Sequence, residues 1–199
     1  MRHLALALIL AAAAVPVRSH TFEIDPVHSS VSFRIKHLVG KVTGRFGKFS
    51  GTYALEPGKV SAWSASATID PASIDTGIGK RDDHLRSADF FDVERCPAMG
   101  FKSSKVTAVK GNTAKLHGDL TMHCVTKPVV LDLEIGGTEK DPWGNTRSGA
   151  SARTKLNRKD FGIVWNKTLD SGGLMLGEDV EVTLEIEGVV KQAEPKKAD

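Results

Sequence analysis

The stretch VVLDLEI at residues 129–135 sets Val129, Leu131, Leu133 and Ile135 on one side of the chain and Asp132 and Glu134 on the other. A period of two is the signature of a strand with one buried and one solvated face. VEVTLEI at residues 180–186 repeats it, with Val180, Val182, Leu184 and Ile186 against Glu181, Thr183 and Glu185. The rhythm extends outward to Val31, Phe33 and Ile35, to Trp63, Ala65, Ala67 and Ile69, and to Leu116, Leu120 and Met122. Between these runs lie Gly111-Asn112, Gly136-Gly137, Asp141-Pro142, Gly144-Asn145 and Gly172-Gly173, the chemistry of turns. Short strands separated by turns predict an antiparallel all-β barrel or sandwich. One segment breaks the period: residues 79–91, GKRDDHLRSADFF, where Asp82 and Arg86 stand four apart in the order that favours a helical pair. A short helix is expected there, capped by Asp75 or Thr76, with Cys96-Pro97 returning the chain to extended structure.

The 199 residues suit one domain, and 40% hydrophobic with 26% charged residues excludes disordered and multispan membrane classes. Only the start departs from this average. A basic Met1-Arg2-His3, an uncharged apolar run over residues 4–14 and small residues at Val17 and Ser19 read as a secretory signal peptide over 1–19. The run is about half the length needed to cross a bilayer, and no later segment is long enough. The domain is expected over 20–190, followed by a polar tail at 191–199. Removing 1–19 takes away Arg2 and Arg18 but no acid, so Lys+Arg falls from 27 to 25 against 24 acids, a formal charge of 25 − 24 = +1. A near-neutral chain lacks the positive field that nucleic acid binding requires. Export would place Cys96 and Cys124 in an oxidising compartment, periplasmic or extracellular.

The motifs for chemistry are sparse. Asp25, His28 and Ser29 stand together, but triads are assembled from separated segments around an oxyanion hole, so these read as turn residues. The histidines show no metal-ligand spacing; His117 and His123, on one strand face, would lie roughly 20 Å apart. Neither a metal nor a cofactor is expected. GKVTGRFGKFSG at 40–51 lacks the phosphate-loop pattern, and its Phe46 and Phe49 suit a bent strand with rings turned inward. If Gly111-Asn112 is a two-residue turn, Cys124 faces Met99, three places from Cys96; that offset is about 10 Å, too far for a disulfide unless the strand shifts. A disulfide and a buried inert thiol both stay open. Asn166-Lys167-Thr168 fits the glycosylation sequon.

Five segments carry a resemblance: IDPVHSSVSFRIKHL, the Gly44 and Phe46 run, SIDTGIGKRDDHLRSADFFDVERCP, GDLTMHCVTKPVVLDL and LNRKDFGIVWN. In this order they resemble the YceI-like polyisoprenoid-binding family over roughly residues 21–190. The resemblance implies an all-β fold: an eight-stranded antiparallel lipocalin-like barrel with one short helix at about residues 79–91. It implies a periplasmic or secreted protein whose cavity holds a polyisoprenoid, a long-chain quinone or a fatty-acid derivative, and no catalytic residue. His123-Cys124 departs from the family, which has a basic or polar residue followed by glycine there, and Cys96 stands where an aromatic or polar residue is usual.

Candidate wall residues are Phe33, His37, Leu38, Phe46 and Phe49, with Phe90, Phe91, Phe101 and Trp165. Arg81, His84 and Arg86 around the helix are candidates to hold a polar head, or to fix the helix itself. The leading expectation is a noncatalytic lipid carrier, a partner to lipid and not to nucleic acid. The alternatives are an enzyme with His37 or His84 as base, and a filled barrel serving as a stress or interaction protein. A homodimer is left open, because sequence locates no apolar patch.

Overall fold

The computed structural model describes residues 20–56 and 59–190; the expected signal peptide (1–19) and tail (191–199) lie outside them. Eleven strands form one antiparallel sheet: β1 (His20–Ile24), β2 (Ser30–His37), β3 (Gly40–Phe46), β4 (Phe49–Leu55), β5 (Ser64–Ile69), β6 (Ile74–Asp75), β7 (Met99–Lys110), β8 (Thr113–Met122), β9 (Val125–Lys140), β10 (Thr146–Asn157) and β11 (Leu176–Val190). The order β1-β4-β5-β7-β8-β9-β10-β11 closes because β1 pairs back onto β11, which makes an eight-stranded barrel. Closure pairs the ends of the eight-stranded ring, while β2, β3 and β6 continue from β11 as a branch outside it. Val129, Leu131 and Leu133 point inward and are buried, while Asp132 and Glu134 are exposed, as their alternation predicts.

Two courses of the barrel are broken. β11 pairs with β1 through Gly188–Val190 and with β2 from Leu176 to Glu185, so β1 and β2 are halves of one course interrupted at residues 25–29. β3 and β4 are likewise separated only by Gly47-Lys48; β3 pairs with β2 and β6, β4 with β1 and β5. The break splays β2 and β3 away from β1 and β4, and α1 (Gly79–Arg86) lies at the splayed end, beside β6.

The helix is shorter than the expected 79–91. Ser87 leaves helical geometry, and the amides of Ser87, Phe91 and Val93 take the carbonyls of His84, Leu85 and Arg86, which closes the C-terminus. Neither Asp75 nor Thr76 caps it. Instead Thr76 donates through N and Oγ1 to Asp82, at 2.9 and 2.6 Å. The expected Asp82–Arg86 pair is absent, since Arg86 bonds Asp83 and the carbonyls of Ala72 and Ile74. Gly136-Gly137, read as a turn, is a bulge inside β9: Gly149 faces Gly137 and Ala150 faces Ile135.

Cys96 and Cys124 form a disulfide with a Cα–Cα separation of 5.4 Å. The turn at Gly111-Asn112 starts the expected register, Lys110 opposite Thr113, but two bulges in β7 then shift it by two residues, to Gly100 opposite Thr121. Continued, that register sets Cys124 opposite Pro97, next to Cys96. β8 ends at Met122, and His123 and Cys124 both have positive φ, 52° and 59°. These are the central residues of a two-residue hairpin turn, where glycine is favoured. His123 is therefore not on the strand face of His117; its ring lies against the backbone of Phe161-Gly162.

At the β1–β2 break, Arg147 of β10 gathers three carboxylates: Asp25 at 2.9 Å, Glu187 at 2.6 Å and Asp141 at 3.0 Å. It ties the interrupted course, the β9–β10 turn and β11 together. His28 and Arg147 hold the Asp25 carboxyl down at about 2. Asn145 is the larger cause at Asp141, followed by Arg147, and its carboxyl also falls to about 2.

Two predictions follow from these ties. The disulfide closes a loop of 28 residues, so reduction is expected to cost about 3–4 kcal/mol and lower Tm by roughly 10 °C in thermal unfolding with and without reductant. In a Cys96→Ser background, Cys124→Gly regains part of this by relieving the positive φ. For the clamp, both acids have folded pKa values below their unfolded ones, so their contribution is complete above about pH 4 and is lost as pH falls toward 2. Arg147→Met should flatten this acid dependence and lower Tm at pH 7 more than Lys155→Met, which breaks an exposed pair with Asp179.

Candidate functional site

The splayed end of the barrel holds a cavity of about 220 Å³ whose lining is almost wholly apolar. Strands β2, β3 and β11 supply Val31, Phe33, Ile35, Val42, Phe46, Val180 and Val182; α1 and the turn after it supply Leu85, Phe90 and Phe91. The segment 156–165 contributes Leu156, Arg158, Ile163 and Trp165. Of the residues expected at the site, Phe33, His37, Phe46, Arg81, His84, Phe90, Phe91 and Trp165 line this cavity. Phe49 and Phe101 line a second one. Leu38 is 41% exposed at the β2–β3 turn, and Arg86, the last residue of α1, bonds the carbonyls of Ala72 and Ile74; neither lines either of these two cavities.

Aromatic packing shapes the walls. Phe33 lies across Gly44, its cross-strand partner: a Cβ there would come within 2.4 Å of the Phe33 ring. The glycine among aromatics thus opens room for a ring inside the barrel. Phe46 meets Phe33 at 5.6 Å and Phe91 edge-on at 5.7 Å between ring centroids. His84, Phe90 and Trp165 form a second group, with His84 edge-on to both rings.

The second cavity, about 110 Å³, is lined by Phe49, Tyr53, Trp63, Phe101, Leu131 and Leu184 among others. Val31 borders both cavities. Around it Phe46, Ile74 and Met99 form a buried plug, against which Phe33, Phe49, Phe91, Met122 and Leu184 pack. Tyr53 donates its hydroxyl to the Ser148 carbonyl at 2.6 Å, and burial pushes the phenol up to about 12.

The polar side chains of the site differ in what they have left to offer. Arg81 donates Nε to Thr76 Oγ1 and Nη2 to the Thr76 carbonyl, both at 2.7 Å, and so holds the loop before the helix. His84 Nε2 lies 2.8 Å from Asp89. Ser32 and Thr76 donate their hydroxyls to Thr183 O and Asp82. Arg158 is 97% buried, being 3% exposed; it donates Nε to Gly177 O and Nη1 to Ile163 O, and Nη2 has no partner. Burial pulls this guanidinium below its ordinary value, with Glu178 acting in the opposite direction.

Sequence reasoning missed Arg158 and the aliphatic lining. Val31, Ile35, Val180 and Val182 were legible as inward by alternation, but nothing in a period of two separates cavity wall from solid core. Arg158 opens a 3₁₀ turn (Arg158–Phe161) after β10, where exposure would be the default for an arginine.

Outside the cavities, Ser29 Oγ donates to Glu187 O and accepts from Glu187 N, so the Asp25-His28-Ser29 cluster bridges strands instead of presenting a nucleophile. Asp25, His28 and Glu187 converge closely enough to hold an ion, but Arg147 already supplies the cation to both acids. Asn166, of the sequon, binds Leu176 through both its amide atoms.

The profile of the YceI-like domain matches residues 22–188. A UPF0312 protein of Vibrio cholerae is 35% identical over 179 residues, covering 89% of this chain and 90% of its own. One from Ectopseudomonas mendocina is 40% identical over 163 residues, 81% and 82% of the two chains. Among solved structures, a Campylobacter jejuni YCEI protein matches with TM-score 0.68 and 32% identity over 79% of this chain and 90% of its own. Burkholderia cenocepacia BcnA gives TM-score 0.73 at 24% identity, covering 82% and 98%. A polyisoprenoid binding domain from Saccharophagus degradans gives 0.61 at 16%, covering 85% and 98%; the last two likenesses speak to fold.

Proposed function

Because the chain belongs to the YceI-like family, we propose that its barrel binds one long-chain lipid, a polyisoprenoid or a related quinone or acyl chain, without chemical turnover. The observation that carries this is the apolar cavity at the splayed end, which shares Val31 with a second apolar cavity. Cavity lining of this kind offers a chain burial at about 0.8 kcal/mol per methylene and almost no directional contact, so length sets affinity. At about 220 Å³ the first cavity falls below the range of roughly 300–1,000 Å³ typical of ligand pockets. A long chain therefore has to run on past Val31 into the second. The S. degradans domain, a polyisoprenoid binder of the same fold, supports the ligand class. The hydroxyls of Ser32 and Thr76 are both committed to hydrogen bonds, which favours binding over catalysis.

Carriage of such a lipid through the periplasm fits the basic, apolar and small-residue pattern of 1–19 and the Cys96–Cys124 disulfide, which persists only in an oxidising compartment. Binding of a prenol series of increasing chain length, followed through Trp165 fluorescence, tests the reading. Affinity should rise with length, by about fourfold per buried methylene at first, and continue past the length that fills the first cavity. Val31→Phe should impose a cut-off at that length while leaving shorter prenols within about twofold. Equal affinity for all lengths, or no binding, would contradict it.

A further inference from the structure

The turn between β2 and β3 is Leu38-Val39, with His37 facing Gly40 across it. Such turns favour glycine, asparagine or aspartate, yet Leu38 holds a φ of 50° and Val39 is wholly exposed, so the fold gains little burial from either. Ile78, Val164 and Leu174 are likewise large, apolar and exposed. All five stand within two positions of a residue that lines the first cavity: His37, Thr76, Ile163, Trp165 or Met175. They meet at one end of the barrel. Leu38 N donates to Met175 O at 2.9 Å, His84 of α1 packs edge-on to Trp165, and Thr76 lies against Gly44 of β3. The other exposed large apolar residues, Val27, Val109, Val130 and Trp143, do not line this cavity, and Trp143 lies in the β9–β10 turn at the opposite end. Lys36, Lys80 and Lys167 are exposed within three positions of the five, and among the described residues no acid pairs with them; Asp170 is the one acid of the loop at 166–176.

We propose that this end of the barrel docks on a bilayer that carries anionic lipid. The five apolar side chains enter the interface, the three lysines meet the headgroups, and the cavity comes to rest against the acyl layer from which its lipid is drawn. The proposal rests on the lipid-binding reading and adds the surface at which the lipid is collected. Apolar side chains carried on separate segments make an uneven face, which a fluid interface accepts and a protein partner would have to match in shape. Charge decides in the same direction. Each lysine near an anionic leaflet contributes about fivefold to binding, whereas a two-fold contact with a second copy would bring this positive charge against itself.

The test is sedimentation of the protein, purified from the organism that makes it, with vesicles of phosphatidylglycerol and phosphatidylcholine or of phosphatidylcholine alone. Binding to the anionic vesicles should be about tenfold or more tighter. Val39→Asp should weaken it by about tenfold or more without shifting Tm, while Trp143→Asp holds it within about twofold. Leu174→Asp takes the place of Val39→Asp should that variant not fold. Absence of vesicle binding, no preference for the anionic vesicles, undiminished binding by Val39→Asp, or loss through Trp143→Asp instead, each overturns the proposal. So does a dimer that Val39→Asp dissociates in a protein that ignores vesicles, which would assign the face to a second copy. Short prenols titrated without vesicles keep the two readings apart: the protein and Val39→Asp should bind them within about twofold of each other. Failure of both to bind prenols overturns the lipid reading, and the vesicle result still decides docking.

Discussion

The structure depends on β11 being paired along both of its edges. β10 runs beside it from Asn157 to Arg147, and the opposite edge is shared between β2 and β1. β1 closes the ring through Phe22–Ile24, and β2 pairs with the rest of that edge. Together they cover the length of β11, but the chain between them must step out of the ladder at residues 25–29. The step exposes polar backbone and side chains that need partners, and Ser29 and Arg147 supply them: Ser29 bonds both backbone groups of Glu187, and Arg147 binds the acids on three segments.

The cavity is a consequence of that break. At the end where β2 and β3 part from β1 and β4, Leu85 of α1 with Phe90 and Phe91 completes the lining that the strand side chains begin. The Phe33 ring folds over Gly44 and so narrows the space from the side. Val31, at the start of β2 just beyond the break, lines both cavities and packs with Phe46, Ile74 and Met99. Closure, lid and cavity are thus one arrangement seen from different places along the chain.

Much of this was legible in the sequence because it rests on local periodicity. The inward faces of β9 and β11 follow from alternation, and the helix from its interruption. Less legible were the features decided by cross-strand register. Two bulges in β7 carry Cys124 two places along its partner, which turns a pair that hairpin counting separates by about 10 Å into a disulfide. Bulges leave no reliable mark in composition; Ala108, with φ of 51°, is an ordinary residue in an unusual conformation. Gly136-Gly137 misleads in the other direction, since the same residues serve turns and bulges. At the site, aromatic rings drew attention first, and eight expected positions do meet at the cavity, from Phe33 to Trp165. Arg158 was hidden because the burial of an arginine is a tertiary fact.

The central claim is that the barrel holds one lipid chain in its paired cavities. The most direct measurement is native mass spectrometry of the protein purified from the organism that makes it, followed by organic extraction and identification of what is released. The account predicts one stoichiometric adduct whose mass corresponds to a long prenyl or acyl species. A bare protein mass, with no uptake of added prenyl or acyl lipid, would contradict it and leave the barrel as a fold without cargo.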